Sequence, residues 1–272
     1  MSAALTLDWS GRKIQIEYVW VGSDDTNAPV MVFLHEGLGS VSLWKTFPDQ
    51  LCRSLGMRGL VYSRPGYGRS TARAAQEHWD VDFMHRQAYE VLPALLHALS
   101  ISRPYLFGHS DGASIALLYA AKYSADLRSI IVVAPHILVE DISVESITQA
   151  REAYLHQGLR EKLARHHDDV DSAFFGWNDI WLAPAFRSWN IQGLLETIRC
   201  PVLAIQGEQD EYGTMQQVLG IQDRLPDTEV IALPACGHSP HREQTEAVLA
   251  AVTAFVHTHS MHLAASAPGL TL

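Results

Sequence analysis

Cysteine is scarce: Cys52, Cys200 and Cys236 are the only three in 272 residues, and no two stand in a CxxC spacing. An odd, scattered set supports neither a disulfide framework nor a structural zinc site, and it fits a reducing compartment. Also lacking is any run of about 18 uninterrupted apolar residues, which removes a membrane-spanning helix. Asp8, Arg12 and Lys13 arrive before a signal-peptide core could develop, so a cytoplasmic protein is expected. Basic residues are outnumbered, 20 against 30 acidic, and the formal charge of -10 would be repelled by a phosphate backbone or an anionic membrane surface. Neither nucleic acid nor membrane is expected as a partner, and the oligomeric state is left open. With 47% apolar and 18% charged residues the chain has an ordinary globular mix, which excludes a wholly disordered or collagen-like protein.

What is present begins with alternation. In residues 13–21 the apolar Ile14, Ile16, Tyr18 and Trp20 fall on one face, the period of a half-exposed antiparallel strand. Later runs at residues 30–34, 59–62, 105–107, 130–133, 202–205 and 230–233 are short and apolar, as strands buried on both faces are. Helical patterns separate them, for example residues 82–99, where Phe83, Ala88, Val91, Leu92, Leu95 and Leu99 recur at three-to-four spacing. This alternation predicts an α/β protein with a doubly wound, mostly parallel sheet.

One interval breaks the rhythm. Residues 135–199 contain no convincing strand, only helical or irregular sequence with an aromatic cluster of Phe174, Phe175, Trp177, Trp181, Phe186 and Trp189. A segment of this size between two core strands reads as a helical cap over the carboxyl edge of the sheet, where ligands bind in open α/β folds. The expected organisation is therefore residues 1–134 as the first part of the core, 135–199 as the cap, 200–260 as the second part of the core, and 261–272 as a loose tail.

Gly108-His109-Ser110-Asp111-Gly112 follows a buried strand and precedes a helix pattern at residues 113–123. This is the G-x-S-x-G elbow: the central serine occupies a strained turn, and flanking glycines remove side chains that would collide with strand and helix. A serine hydroxyl is a weak nucleophile and needs a base, itself held in one tautomer by an acid. His238 and Asp210 follow the two last strands in the required order, on loops at the same edge as Ser110. Glu208 and Glu211 flank Asp210 and could serve on geometry alone.

With these motifs the chain resembles the α/β-hydrolase superfamily over about residues 28 to 260. His35-Glu36-Gly37-Leu38-Gly39 stands where that family has its His-Gly-containing oxyanion loop, and Arg64-Pro65-Gly66-Tyr67-Gly68-Arg69-Ser70 resembles its next turn. The resemblance implies an α/β-hydrolase fold with the cap inserted after the sixth strand, and an oxyanion hole made by the backbone N–H groups of Gly37 and Asp111. Glu36 is the departure, since glycine is commoner there. Its carboxylate would oppose an oxyanion, so it is expected to point sideways, paired with Arg64, a histidine or a buried backbone donor.

Other patterns carry less. Ser42-Leu43-Trp44-Lys45 fits S-x-x-K without its partner motifs, and Gly39 stands where a zincin would need its second histidine. His257, His259 and His262, and the run His166-His167-Asp168-Asp169, read as solvated groups. No metal or cofactor is expected. Glu36, Trp177 and Trp181 are the candidate pocket residues.

These readings converge on a cofactor-independent serine hydrolase acting on a carboxylic ester or related acyl bond of a small to medium, apolar or aromatic molecule through an acyl-enzyme. The layout also resembles carbon-carbon bond hydrolases of aromatic breakdown, enol-lactone hydrolases and proline iminopeptidases. A slow-hydrolysing ligand receptor, a lyase and a cofactor-free oxygenase share the fold, and the sequence does not separate them.

Overall fold

The computed structural model describes residues 2–74 and 77–265. Its eight strands, β1 (Ala3–Trp9), β2 (Arg12–Gly22), β3 (Val30–Leu34), β4 (Arg58–Tyr62), β5 (Tyr105–His109), β6 (Ser129–Val133), β7 (Val202–Gly207) and β8 (Glu229–Leu233), form one sheet. The strand order is β1-β2-β4-β3-β5-β6-β7-β8. Pairing is parallel from β4 to β8, while β2 runs antiparallel to both of its neighbours. β1 is an addition to the sequence reading. It joins β2 through Ser10-Gly11, both at positive φ, the backbone that a two-residue hairpin demands.

Helices cover both faces, as continuous apolar strands require. α1 (Phe47–Ser54) lies on one face, where Met31, Phe33, Phe107, Ile131 and Leu203 pack against Phe47, Leu51, Val252 and Phe255. On the other face Val32, Leu34, Leu106, Ile130 and Val132 meet the helices that follow β4 and β5. The expected helix over residues 82–99 is three pieces: α2 (Phe83–Arg86), a π-helical turn Gln87–Val91, and α3 (Leu92–Ala98). Pro93 accounts for the widened turn, because its ring would strike the carbonyl of the preceding turn and it has no N–H to give.

After β5 comes α4 (Asp111–Tyr123), with Gly112, Ala113, Ala116 and Ala120 buried against the sheet. Between β6 and β7 the chain forms α5 (Asp141–His156), α6 (Leu159–Leu163), α7 (Val170–Leu182) and α8 (Gln192–Leu195), with no strand longer than the single bridge Leu138–Asn190. α9 (Gln216–Arg224), α10 (Pro240–Glu243) and α11 (Thr245–Ala265) complete the fold. α11 continues through Ala265, into the segment expected as a loose tail at 261–272. Residues 266–272 lie outside the described residues. Among the described residues no helix is long and apolar enough to cross a membrane.

A second correction concerns His167. It is buried rather than solvated: Nδ1 accepts from the Gly68 N–H at 2.9 Å and Nε2–H donates to the Leu38 carbonyl at 2.9 Å. The segment between β6 and β7 is thereby tied to the two loops that follow β3 and β4.

Candidate active site

β5 ends at His109, and the chain turns so sharply into α4 that Ser110 adopts φ 54° and ψ -121°, a conformation L-residues seldom hold. The flanking glycines are sterically required. A Cβ on Gly108 would strike the α4 backbone at Gly112 and Ala113, and one on Gly112 would strike the Leu34 carbonyl of β3. Ser110 is held by its own backbone, its N–H donating to Val133 at 2.9 Å and its carbonyl accepting from Ala113 at 2.8 Å.

The side chains expected to work together are together. Ser110 Oγ lies 3.0 Å from His238 Nε2, and His238 Nδ1 lies 2.8 and 2.9 Å from the two oxygens of Asp210. Nδ1–H therefore donates to the carboxylate, which leaves Nε2 to accept the serine proton. Asp210 also accepts from Gln206 Nε2 at 2.7 Å and from the Tyr212 N–H at 2.8 Å, which fixes the carboxylate plane. Of the flanking acids, Glu208 is exposed, and the Glu211 carboxylate accepts the His238 backbone N–H at 3.3 Å and not an imidazole nitrogen. Burial raises the carboxyl pKa of Asp210, but its bond and attraction to His238 outweigh that and hold it below the ordinary value. Burial lowers His238, yet Asp210 outweighs it and the imidazole stands above its ordinary value, with Glu211 and Glu36 adding to the rise.

A pocket of about 120 Å³ opens on this group, walled by Glu36, Gly37, Ser110, Asp111, His136, Trp177, Trp181 and Tyr212. Both candidate tryptophans reach it from α7. A Cβ on Gly37 would collide with the Trp177 indole, so that the indole or the loop would have to shift. The N–H groups of Gly37 and Asp111 have no hydrogen-bond partner among the described residues.

Glu36 turns sideways, to a histidine. Its Oε2 lies 3.6 Å from His109 Nδ1, while His109 Nε2–H donates to the His238 carbonyl at 2.7 Å. The residue before Ser110 thus braces the loop that carries His238. Arg64 takes a different atom than expected: Nη2 donates to the Glu36 carbonyl at 2.8 Å, as does His35 Nδ1–H at 2.7 Å. Burial pushes the Glu36 carboxyl up, but His109 and His35 outweigh it and hold the group well below the carboxylate range. Asp111 goes the other way. Burial raises its pKa, opposed by Arg64 3.7 Å away and by the Trp181 indole N–H, which donates at 3.2 Å.

His136 escaped the sequence reading. It follows β6 directly, walls the pocket, and places Nε2 3.5 Å from Ser110 Oγ. Its only signal is position, a histidine at the carboxyl end of a core strand. The side chains set aside earlier stay apart from this group. Ser42 bonds His166 at 2.7 Å beside a surface cleft, and His259 pairs with Glu229 at 2.9 Å. Among the described residues no three His, Cys, Asp or Glu side chains converge as metal ligands.

Comparison with known proteins agrees with this architecture. The model of the alpha/beta hydrolase family matches residues 31–251. The chain is 26% identical over 192 residues to the serine hydrolase BPHL of Homo sapiens, covering 65% of this chain and 61% of that one. It is 19% identical over 256 residues to the 2-hydroxy-6-oxo-6-phenylhexa-2,4-dienoate hydrolase of Burkholderia cepacia, covering 83% and 86%. The crystal structure of the enol-lactonase from Burkholderia xenovorans LB400 superposes with a TM-score of 0.73 at 20% identity, covering 93% of this chain and all of that one, a likeness of fold. With a family match over most of its length and an eight-stranded, mostly parallel sheet, the chain belongs to the alpha/beta hydrolase family.

Proposed function

We propose that this hydrolase cleaves a carboxylic ester or related acyl bond of a small to medium, apolar or aromatic substrate through an acyl-enzyme on Ser110. The observation that carries the reading is the hydrogen-bonded chain Ser110–His238–Asp210, opening on a pocket whose walls include the rings of Trp177, Trp181 and Tyr212. His238 takes the Ser110 proton as Oγ attacks the carbonyl carbon, then returns it to the leaving group. Asp210 keeps Nδ1–H in place and stabilises the imidazolium that forms. The free N–H groups of Gly37 and Asp111 receive the negative charge that develops on the carbonyl oxygen. Water, deprotonated by His238, then releases the acid.

Residues 135–199 act as the cap in this reading, with Trp177 and Trp181 setting the size of the acyl group. The pocket suits a molecule of modest size, since its cavity of about 120 Å³ lies below the usual range of small-molecule sites. Three unpaired, buried cysteines suit a reducing compartment. Carbon-carbon bond hydrolysis is the second reading, favoured by the similarity to the dienoate hydrolase.

The test is turnover of p-nitrophenyl esters of increasing acyl length, set beside a vinylogous 1,5-diketone of the dienoate type. Multiple turnovers on the esters, lowered by about 10³ to 10⁶ in Ser110→Ala, are expected. Turnover confined to the diketone moves the assignment to the second reading, and ester turnover retained in Ser110→Ala overturns the nucleophile.

A further inference from the structure

Ser110 Oγ sits between two imidazoles, His238 Nε2 at 3.0 Å and His136 Nε2 at 3.5 Å. The second ring is buried and packs edge-on against Trp181, with centroids 4.9 Å apart. Its backbone is clamped to α4: the Ser114 hydroxyl donates to the His136 carbonyl at 2.6 Å, and Ser114 Oγ accepts from the His136 N–H at 3.1 Å. Ser114 lies one turn beyond Ser110, so nucleophile and second imidazole ride on one rigid unit. Yet nothing steers this ring as Asp210 steers His238. His136 Nδ1 is buried without a hydrogen-bond partner among the described residues.

A neutral imidazole has one N–H and one lone pair. Burial, reinforced by repulsion from His238, lowers the His136 pKa to about 3, so the ring is neutral at physiological pH. The Ser110 hydroxyl proton is directed to His238 Nε2, which leaves Oγ only lone pairs to offer on its other side. For the His136 contact to be attractive, Nε2 must carry the hydrogen. Nδ1 then holds the lone pair, unanswered.

We propose that His136, as the Nε2–H tautomer, is a second catalytic imidazole that donates to Ser110 Oγ and speeds breakdown of the acyl-enzyme. This rests on the acyl-enzyme reading above. The contact acts differently in the two halves of the reaction. During acylation Oγ supplies an electron pair to the carbonyl carbon, and a donor on that oxygen makes it a slightly weaker nucleophile. During deacylation water adds to the acyl carbon and gives its proton to His238. The carbon–Oγ bond then breaks, its electron pair returns to Oγ, and His238 protonates that oxygen. Negative charge gathers on Oγ as the bond breaks, and a hydrogen bond to a charged acceptor is shorter and about twice as strong as one to a neutral one. The His136 proton stays on Nε2 throughout. A separation of 3.5 Å at rest suits a contact that tightens only when the charge arrives.

The experiment separates the two steps with p-nitrophenyl acetate: nitrophenolate release in the first turnover reads acylation, and the steady state under saturation reads deacylation. His136→Phe keeps a ring on Trp181 and removes the N–H, while His136→Gln returns an amide N–H near the Nε2 position. Deacylation is expected to fall about 10- to 100-fold in His136→Phe with acylation unchanged or faster, so that acyl-enzyme accumulates as an enlarged burst. His136→Gln should recover part of the loss, which a purely structural ring would not do. His136→Asn, whose amide is too short to reach Oγ, takes the place of the phenylalanine variant if that variant does not fold. Fluorophosphonate labelling of Ser110 runs alongside. Absence of label on wild-type Ser110 overturns the acyl-enzyme reading itself. Normal labelling with the ratio of deacylation to acylation unchanged in the variants overturns the role of His136 alone.

Discussion

Trp181 donates its indole N–H to Asp111 at 3.2 Å, so a helix of the segment between β6 and β7 is hydrogen-bonded to the residue directly after the proposed nucleophile. The bond matters because both side chains are buried and the second oxygen of Asp111 has no hydrogen-bond partner among the described residues. Trp181→Phe preserves most of the packing against Phe186 and His136 but removes the donor. Leaving a buried carboxyl short of a partner costs about 1–3 kcal/mol. Denaturant unfolding should show a loss of that size, accompanied by lower activity on every ester. An unchanged midpoint with altered acyl preference would make Trp181 a pocket wall and nothing more.

Asp210→Asn should lower kcat by about 10⁴, because an amide can orient His238 in the wrong tautomer. Glu208→Gln and Glu211→Gln should cost far less, since neither carboxylate reaches the imidazole of His238. Side-by-side steady-state kinetics on the three variants make the comparison, and the opposite ranking would relocate the acid.

The pH dependence has a definite sign. His238 is raised above its ordinary value, and only its neutral form accepts the serine proton. kcat/KM should therefore be low in acid and rise through an ionisation above about 6.5, the ordinary histidine value. Since Asp210 is what holds His238 up against burial, the residual activity of Asp210→Asn should rise at a lower pH than wild type. A midpoint that does not move would separate the titrating group from Asp210.

Gly37→Ala brings a methyl group into the Trp177 indole, and the indole and the loop cannot both stay where they are. Where the loop yields, the proposed oxyanion donor is displaced. Activity should fall by about 10²–10³, the usual effect of losing one such donor, with little change in KM. A smaller change confined to bulky acyl groups would show that the tryptophan moved and the loop did not.

Glu36 and His109 form a bridge from the oxyanion loop to the His238 loop, and its purpose is testable through substrate charge. If the carboxylate is a brace, Glu36→Gln should lower the melting temperature and reduce turnover evenly across neutral and amine-bearing esters. A loss restricted to amine-bearing esters would make it a recognition group.

The elements legible from the chain were those whose patterns have one physical meaning. Glycines at 108 and 112 around Ser110 announced a close strand-to-helix turn, and short apolar runs announced strands buried on both faces. β1 was missed because its edge position leaves only Leu7 and Trp9 buried, too few to stand out, although Ser10-Gly11 supplies a hairpin signal. His136 and His167 were missed for a different reason. A histidine buried by contacts from distant segments, Ser114 and Trp181 for one, Gly68 and Leu38 for the other, leaves no local periodicity to read. Glu36 departs from the commoner glycine, and a histidine stands among its expected partners because a half-buried carboxylate needs a donor or a cation.

The central claim is that Ser110 is the nucleophile activated by His238, and fluorophosphonate labelling with mass-spectrometric mapping tests it most directly. The account predicts one adduct, on the peptide carrying Ser110, with activity lost in proportion to labelling and with the labelling rate strongly reduced in His238→Ala. An adduct on another residue, or full activity in protein labelled stoichiometrically on Ser110, would contradict it.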